Sequence, residues 1–297
     1  MEKANAFFPV FSLKLDNKAG FFTGKGDMPM AGNLVSYFKN IYSRIFSRRR
    51  IVPAEVIKPR IAAHRGASGH RPENTMAAFD KGIDLGAEMI ELDIQMSKDG
   101  KLAVIHDTTL ERTSNGRGRV KDHTWEQLSS LDAGSWMAGQ YKKERIQSLE
   151  AVLDKYLGKA GFLIELKKPS LYPGIEKKLA EVIQSRVSKA ETSITVLSFD
   201  TKSLKTFHEL CPEIPIGVLI RRFPPGLRHR NLINLSKYAS YICPKVTLIN
   251  ASAVRKIKAY NLGIMIWPVN DRRTAEKVKG LPIDIIITDY PDLFLNI

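Results

Sequence analysis

Residues 61–107 read IAAHRGASGHRPENTMAAFDKGIDLGAEMIELDIQMSKDGKLAVIHD. Four polar clusters in this stretch close or follow apolar, strand-like runs: His64-Arg65-Gly66, Pro72-Glu73-Asn74-Thr75, Glu91-Leu92-Asp93 and His106-Asp107. Polar residues grouped at the ends of apolar runs indicate a functional site, because loops carried on a rigid scaffold commonly hold binding and catalytic groups. We therefore treat this stretch as the part of the chain that the rest supports.

The second half of the stretch predicts a β-hairpin. Two β-rich runs, residues 88–96 and 102–107, flank Asp99-Gly100, and Asp-Gly is the strongest short-range signal for a two-residue turn. With those two residues in the turn, Asp93 would face His106 across the ladder, and opposed Cβ atoms lie roughly 4.5–5.5 Å apart. Glu91 projects from the same face as Asp93 because side chains alternate along a strand. Glu91, Asp93 and His106 are therefore predicted to converge. Such a set suits a divalent cation with an acid or base beside it, and the alternative is a solvated strand face with incidental charges.

After Pro59, apolar strand candidates alternate with helical stretches. The predicted strands are 61–67, 87–96, 102–106, 162–166, 194–199, 215–220, 241–249, 263–269 and 284–288, and the predicted helices are 75–85, 148–157, 174–188, 201–211, 251–260 and 273–279. This rhythm predicts parallel strands with crossover helices, and about eight units over about 240 residues favour a closed (β/α)8 TIM barrel over an open sheet. The ninth strand is either not a strand or the short arm of the hairpin.

Residues 108–147 break this rhythm and show little apolar periodicity. They contain Thr124-x-x-Gln127, a capping box that predicts the start of a short helix. We expect a small inserted subdomain of loops and a helix after the third strand, shaping access to the site. The barrel domain would then span residues 61–297, with residues 1–60 as an N-terminal extension.

The N-terminal extension is set apart by its charge and pattern. The chain of 297 residues carries a net charge of +15, and residues 1–60 hold eleven Lys and Arg against four Asp and Glu, or +7. Apolar and basic residues alternate at helical spacing over residues 34–50, which predicts a basic amphipathic helix. This helix would either contact an anionic membrane surface peripherally or pack its apolar stripe across the barrel. The absence of a convincing secretory signal and of a run of about 18 apolar residues favours a cytoplasmic protein without a spanning helix.

The basic charge calls for anionic partners but does not choose among them. Nucleic acid, a membrane surface and a phosphorylated substrate are the candidates; no recognised nucleic-acid-binding motif is present and aromatic residues do not interleave with the basic ones, so we expect no nucleic acid. Cys211 and Cys243 lie in different segments without metal-type spacing, and we expect both to be buried, reduced thiols.

Residues 162–167, FLIELK, repeat the format of residues 90–93, with two charged residues separated by one at the end of an apolar strand. Glu165 would add a third carboxylate at the same end of the barrel, which points to an oxygen-ligand site for Ca²⁺ or Mg²⁺. Lys167 would contact a phosphate oxygen or hold Glu165. His64 is suited to acid or base chemistry near neutral pH and Arg65 to bidentate contact with a phosphate. Asn74 is expected to cap the following helix.

Taken together, these motifs resemble the glycerophosphodiester phosphodiesterase family. The matching pieces occur in family order over residues 61–297: AHRGA at 63–67, PENT at 72–75, IELD at 90–93, KDG at 98–100, VIHD at 104–107, LIELK at 163–167, WPVN at 267–270 and TDYP at 288–291. The resemblance implies a TIM barrel and metal-dependent hydrolysis of glycerophosphodiesters to sn-glycerol 3-phosphate and an alcohol.

Carried over by position, the resemblance implies a role for each of seven residues. The metal ligands for one divalent cation would be Glu91, Asp93 and Glu165, the acid/base pair His64 and His106, and the phosphate contacts Arg65 and Lys167. Trp267 would form an apolar wall for the glyceryl or alcohol part of the substrate, or pack in the core. The basic helix motivates a rival within the same chemistry, lysophospholipase D-type hydrolysis of lysophospholipids at a membrane surface.

Overall fold

The computed structural model describes residues 58–186, 193–222 and 227–295. The predicted amphipathic helix at residues 34–50 lies outside them. The strands are β1 (Arg60–His64), β2 (Met89–Met96), β3 (Leu102–Val104), β4 (Gln147–Ser148), β5 (Gly161–Leu166), β6 (Ile194–Ser198), β7 (Ile216–Ile220), β8 (Tyr241–Pro244), β9 (Gly263–Ile266) and β10 (Ile285–Thr288). The helices are α1 (Met76–Asp84), α2 (Trp125–Ser130), α3 (Leu149–Tyr156), α4 (Ile175–Gln184), α5 (Thr201–Leu210), α6 (His229–Leu235), α7 (Ala251–Lys258) and α8 (Arg272–Val278).

Eight strands close into a parallel barrel in the order β1, β2, β5, β6, β7, β8, β9 and β10, with β10 pairing back to β1. Helices connect consecutive barrel strands, so the predicted TIM barrel is confirmed. The third strand in chain order, β3, is antiparallel to β2 and lies outside the closed ring. It is the short arm of the hairpin, which accounts for the ninth predicted strand.

Side-chain alternation divides the apolar residues between two layers. Ile90, Leu92 and Ile94 of β2 point outward into the large core between the barrel and its helices. Met89 points inward, where it joins residues of the other barrel strands: Ala62, Leu163, Leu197, Leu219, Cys243, Met265, Ile285 and Ile287. Because the period of a strand is two, the next inward positions of β2 are 91 and 93. The apolar interior layer therefore forms the floor beneath Glu91 and Asp93.

The prediction for the hairpin register was wrong by one residue. Ile94 pairs with Val104 and Met96 with Leu102, so Asp93 lies opposite Ile105 rather than His106. The loop has three residues, 98–100, closed by hydrogen bonds between Ser97 and Lys101, and Gly100 has a φ of +83°. A three-residue loop ending in a left-handed glycine is the common alternative to the two-residue turn, and it shifts every opposed pair by one position.

The predicted helix cap was also wrong by one residue. Thr75, not Asn74, caps α1, and its hydroxyl accepts a hydrogen bond from the Ala78 amide. Asn74 has a left-handed φ of +59°, and its side chain turns into the barrel instead. Helix α6 was missing from the sequence prediction.

Residues 108–147 contain the predicted short helix, α2, whose N-terminus is closed by the reciprocal hydrogen bonds of Thr124 and Gln127. A small core of its own holds this segment against the hairpin, formed by Ala103, Ile105, Leu110, Val120, Leu128, Ala133 and Ile146. Cys211 and Cys243 are buried free thiols, as expected. Within the three described ranges, no helix has the length and hydropathy needed to cross a membrane.

Candidate active site

The carboxyl ends of β1, β2 and β5 place charged side chains in one layer at the open end of the barrel. His64 is in register with Glu91, and Asp93 is in register with Glu165. Seven of the eight predicted site residues line one cleft of about 420 Å³, namely His64, Arg65, Glu91, His106, Glu165, Lys167 and Trp267. The eighth, Asp93, is fully buried. The structure thus brings every sequence-predicted site residue together.

Glu91, Asp93 and Glu165 form a compact carboxylate cluster. One oxygen from each lies within 4.8 Å of the others, and all three side chains are buried. Burial and the charge of Asp93 raise the pKa of Glu91 to about 8 and that of Glu165 to about 7. Three carboxylates buried together repel one another when all are ionised, and a metal ion among them would relieve that repulsion.

The cluster fits a divalent cation. Asp93 Oδ1 is buried and accepts no hydrogen bond from the residues that the structure describes, and Lys167 Nζ lies 3.5 Å from it. A buried carboxylate oxygen without a hydrogen-bond donor requires an explanation, and an oxygen-seeking metal ion provides one.

Asp93 is held ionised by its surroundings. Its other oxygen, Oδ2, accepts a hydrogen bond of 3.0 Å from Asn74 Nδ2 and lies 3.2 Å from Arg65 Nε. Burial by itself would raise the pKa of Asp93, but Arg65 and Lys167 outweigh burial and lower it. Asp93 is therefore the permanent negative charge of the cluster.

Arg65 and Lys167 are the two cations set among these carboxylates. Arg65 has a φ of +59°, which turns its backbone amide toward Glu91 Oε2 at 2.9 Å while its guanidinium reaches Glu73 Oε1 at 2.9 Å. Lys167 Nζ lies 2.8 Å from Glu165 Oε1. Lys167 is thus paired with Glu165, one of the two sequence alternatives, and it also lines the cleft, where its contact with a phosphate oxygen stays a prediction.

Each histidine is oriented by a carboxylate through its Nδ1 atom. His64 Nδ1 lies 2.5 Å from Asp289 Oδ1, and His106 Nδ1 lies 2.6 Å from Asp107 Oδ1. A carboxylate on one ring nitrogen fixes the tautomer and leaves Nε2 for chemistry. His64 Nε2 is 4.0 Å from Glu91 Oε2.

The two histidines are tuned in opposite directions. Burial would lower the pKa of His64, but Glu91 and Asp289 outweigh it and raise the pKa above 6.5. Burial lowers the pKa of His106 below 6.5, assisted by Arg65 and Lys167, although Asp93 acts against them. Opposed shifts within one cleft are typical of an acid and a base that work as a pair.

A network of charged side chains holds Asp107, the carboxylate that orients His106. Arg112 donates to Asp107 through Nε at 2.6 Å and forms a bidentate pair with Glu73 at 2.7 and 2.8 Å. Glu73 in turn accepts from Arg65. The network therefore links the orientation of His106 to that of Arg65.

Sequence reasoning missed three of these supporting residues. Asp289 lies in the TDYP motif and Asp107 in the VIHD motif. Their place in motifs that match the family was the signal by which sequence reasoning could have found them. Arg112 carries no such signal, since it lies in the inserted segment and acts only through the fold.

The opposite wall of the cleft is aromatic and basic. Trp267 donates its indole Nε1–H to the Cys243 carbonyl at 2.7 Å, and its ring meets Phe199 edge to face with centroids 5.6 Å apart. The Arg221 guanidinium lies 4.7 Å from the Phe199 ring centroid and 6.0 Å from that of Trp267. Lys245 completes this wall. Trp267 thus both packs against its neighbours and faces the cleft.

The glycerophosphoryl diester phosphodiesterase family matches residues 64–293. The chain is 43% identical to YhdW of Bacillus subtilis over 236 residues, which cover 80% of this chain and 96% of that protein. It is 36% identical over 245 residues to a glycerophosphodiester phosphodiesterase of the same organism, covering 78% of this chain and 84% of that one. Among solved structures, an Oleispira antarctica phosphodiesterase in complex with the product sn-glycerol-3-phosphate superimposes with a TM-score of 0.72 at 28% identity, covering 79% of this chain and 94% of the other. The chain therefore belongs to the glycerophosphoryl diester phosphodiesterase family.

Proposed function

We propose that this protein hydrolyses glycerophosphodiesters to sn-glycerol 3-phosphate and an alcohol, and that it depends on a divalent cation. The observation that carries the proposal is the buried cluster of three carboxylates within a cleft that also holds two carboxylate-oriented histidines. The Oleispira relative binds sn-glycerol 3-phosphate in the same fold. Relatives named for this reaction favour it over the lysophospholipase D-type alternative.

Glu91, Asp93 and Glu165 would hold the cation, either Ca²⁺ or Mg²⁺, because both take carboxylate oxygens as ligands. When bound, it would act as a Lewis acid that neutralises charge on a nonbridging phosphate oxygen. The raised pKa values of Glu91 and Glu165 support this assignment, since they describe carboxylates that need a cation to ionise together.

Arg65 and Lys167 would stabilise the negative charge that develops on the phosphoryl group. Both side chains are already fixed by carboxylates, so little reorganisation is needed when the substrate reaches the transition state. Asp93 lies beside both cations, with Oδ2 at 3.2 Å from Arg65 Nε and Oδ1 at 3.5 Å from Lys167 Nζ.

His64 and His106 would move the two protons of the reaction. One removes a proton from the attacking hydroxyl and the other protonates the leaving alkoxide. The attacking hydroxyl belongs either to water or to C2 of the glycerol, and the second route would pass through a cyclic phosphate. A transient cyclic glycerol phosphate, followed by phosphorus NMR during turnover, distinguishes the two routes. Trp267 would provide an apolar wall for the glyceryl or alcohol arm.

The test is release of sn-glycerol 3-phosphate from glycerophosphocholine, first with a chelator and then with Ca²⁺ or Mg²⁺ restored. We expect activity to disappear with the chelator and to return with the cation. Glu165→Gln should retain the fold and lose the response to added cation. Release of choline from lysophosphatidylcholine, assayed in parallel, measures the rival activity. If no sn-glycerol 3-phosphate is released from glycerophosphocholine with any cation, while choline is released from lysophosphatidylcholine, the proposal is overturned.

A further inference from the structure

One stretch of the barrel sequence is strongly basic and contains no acidic residue of its own. Residues 214–270 include nine Lys and Arg and not one Asp or Glu. This stretch of 57 residues supplies β7, α6, β8, α7 and β9. It therefore accounts for +9 of the net charge of +15, and it forms about a third of the barrel wall.

A second groove of about 440 Å³ lies beside the catalytic cleft on this basic side. Phe199, Leu219 and Arg221 line both spaces, so the groove begins where the aromatic wall of the cleft ends. The groove continues between α5 and α6 and contains Lys205 and Arg222. Its other lining residues are neutral: Thr201, Val218, Ile220, Asn231, Asn234, Leu235 and Tyr238.

The cations of this groove have no acidic partner in the part of the chain that the structure describes. Arg221 rests on the Phe199 ring, and Lys205 Nζ lies 5.0 Å from the Tyr238 ring centroid. Neither forms an ion pair with a carboxylate of residues 58–186, 193–222 or 227–295, and the same holds for Arg222. Elsewhere in the described chain, Arg65, Arg112, Lys167 and Lys258 are all paired. Cations grouped without counter-charges raise the local potential and attract anions.

The chemistry of the groove selects the kind of group that would bind. Arg and Lys side chains together suit a phosphate, which can accept several charge-assisted hydrogen bonds. A quaternary ammonium group would need an open aromatic face, but Arg221 already covers Phe199.

We infer that this groove is a subsite for a second phosphate, carried on the arm of the diester that lies against Phe199 and Trp267. Substrates extended by a phosphate are then preferred over neutral diesters with the same arm. This inference rests on the proposed hydrolysis of glycerophosphodiesters and adds the substrate class. The reaction is unchanged: the phosphoester bond at the carboxylate cluster breaks, and the second phosphate remains on its arm.

The experiment compares glycerophosphoglycerol with the same compound carrying a terminal phosphate, each followed by substrate consumption at saturating cation. We expect a higher kcat/KM for the phosphorylated compound at low ionic strength and a smaller preference in high salt. In the double variant K205Q/R222Q, kcat/KM for the phosphorylated compound should fall roughly three- to tenfold, as expected for loss of two exposed charge contacts. Turnover of glycerophosphoglycerol should not change.

The matched control is R255Q/K256Q. These residues lie in the same acid-free stretch, but in the last turn of α7, away from both lined spaces. Removing the same amount of charge there should leave the preference intact. An equal loss in both double variants would mean that only net charge matters and would overturn the inference.

Three further outcomes also decide the matter. Equal kcat/KM for the two compounds, with no effect of K205Q/R222Q, overturns the subsite while leaving the proposed function intact. Hydrolysis of glycerophosphocholine but of neither of these two compounds overturns the subsite, whereas failure to hydrolyse all three refutes the proposed function itself. Loss of binding to phosphatidylglycerol vesicles in K205Q/R222Q, without any change in substrate preference, would assign the surface to a membrane instead.

Discussion

Asn74 offers a sharp test of how the carboxylate cluster is held. Its side chain is buried, donates a hydrogen bond of 3.0 Å to Asp93 Oδ2 and accepts one of 3.4 Å from the Asp93 amide. Its backbone has a left-handed φ of +59°, a conformation that asparagine tolerates and alanine does not. Two substitutions separate these contributions, because Asn74→Ala loses both hydrogen bonds and the tolerated φ, whereas Asn74→Gly loses the hydrogen bonds but adopts the same φ without strain.

The magnitude follows from the two contributions. A hydrogen bond to a charged, buried carboxylate contributes about 1.5–3 kcal/mol. The left-handed backbone costs alanine about 1–2 kcal/mol more, so Asn74→Ala should lower the free energy of unfolding by roughly 2.5–5 kcal/mol. Glycine adopts this φ freely but loses about 0.5–1 kcal/mol through its greater entropy in the unfolded chain. Asn74→Gly should therefore be destabilised less than Asn74→Ala, by roughly 0.5–1 kcal/mol.

The assay is urea denaturation at neutral pH in the presence of chelator, so that cation binding does not contribute to stability. The restored cation then provides a second readout, because Asp93 without its amide donor should bind the cation less tightly. If both variants lie within about 0.5 kcal/mol of the wild type, which is the range of ordinary surface substitutions, the reasoning about Asn74 is refuted. Equal destabilisation of the two variants would instead refute the contribution of the backbone conformation.

Three further predictions test other parts of the site. Arg112→Gln should lower the free energy of unfolding by about 1 kcal/mol at neutral pH, because it removes hydrogen bonds to two carboxylates from a half-exposed side chain. The pKa values of Glu73 and Asp107 lie below their ordinary values of 4.5 and 3.8. The difference in the free energy of unfolding between Arg112→Gln and the wild type should therefore be complete above about pH 4.5 and vanish toward pH 2. Urea denaturation at several pH values measures this difference, and a difference that stays constant with pH would contradict the prediction. Gly66→Ala should lower the free energy of unfolding by about 3 kcal/mol or more, because its Cβ would lie 2.4 Å from the Ala78 backbone at a φ of +78°. Gly100→Ala places its Cβ in open space and should lower it by only about 1–2 kcal/mol. Equal losses of thermal stability in the two variants would be evidence against the close approach at Gly66. His106→Ala should lower kcat by about 10²- to 10⁴-fold while the fold stays intact, and unchanged turnover in a folded variant would remove His106 from the mechanism.

The hairpin shows where local sequence rules stopped being sufficient. Asp99-Gly100 correctly marked the turn, but a two-residue and a three-residue loop are both compatible with that dipeptide. Contacts with the inserted segment accompany the observed form, because the Lys98 amide donates to the His123 carbonyl and Asp99 accepts from the Trp125 amide. His106 still reaches the cleft because β3 ends at Val104 and the chain leaves the ladder before it.

The sequence by itself determined the barrel and most of the candidate site, because strand periodicity is a local property. Because side chains alternate along a strand, Glu91 and Asp93 share one face of β2. Glu165 and Lys167 likewise share one face at the end of β5, irrespective of which strands lie beside them. Tertiary structure alone decided which distant groups complete these residues. Asp289 reaches His64 only because β10 pairs with β1 when the barrel closes, and Arg112 reaches Asp107 and Glu73 only because the inserted segment packs against the hairpin. Such pairings depend on how the chain closes in space, and no local periodicity encodes that closure.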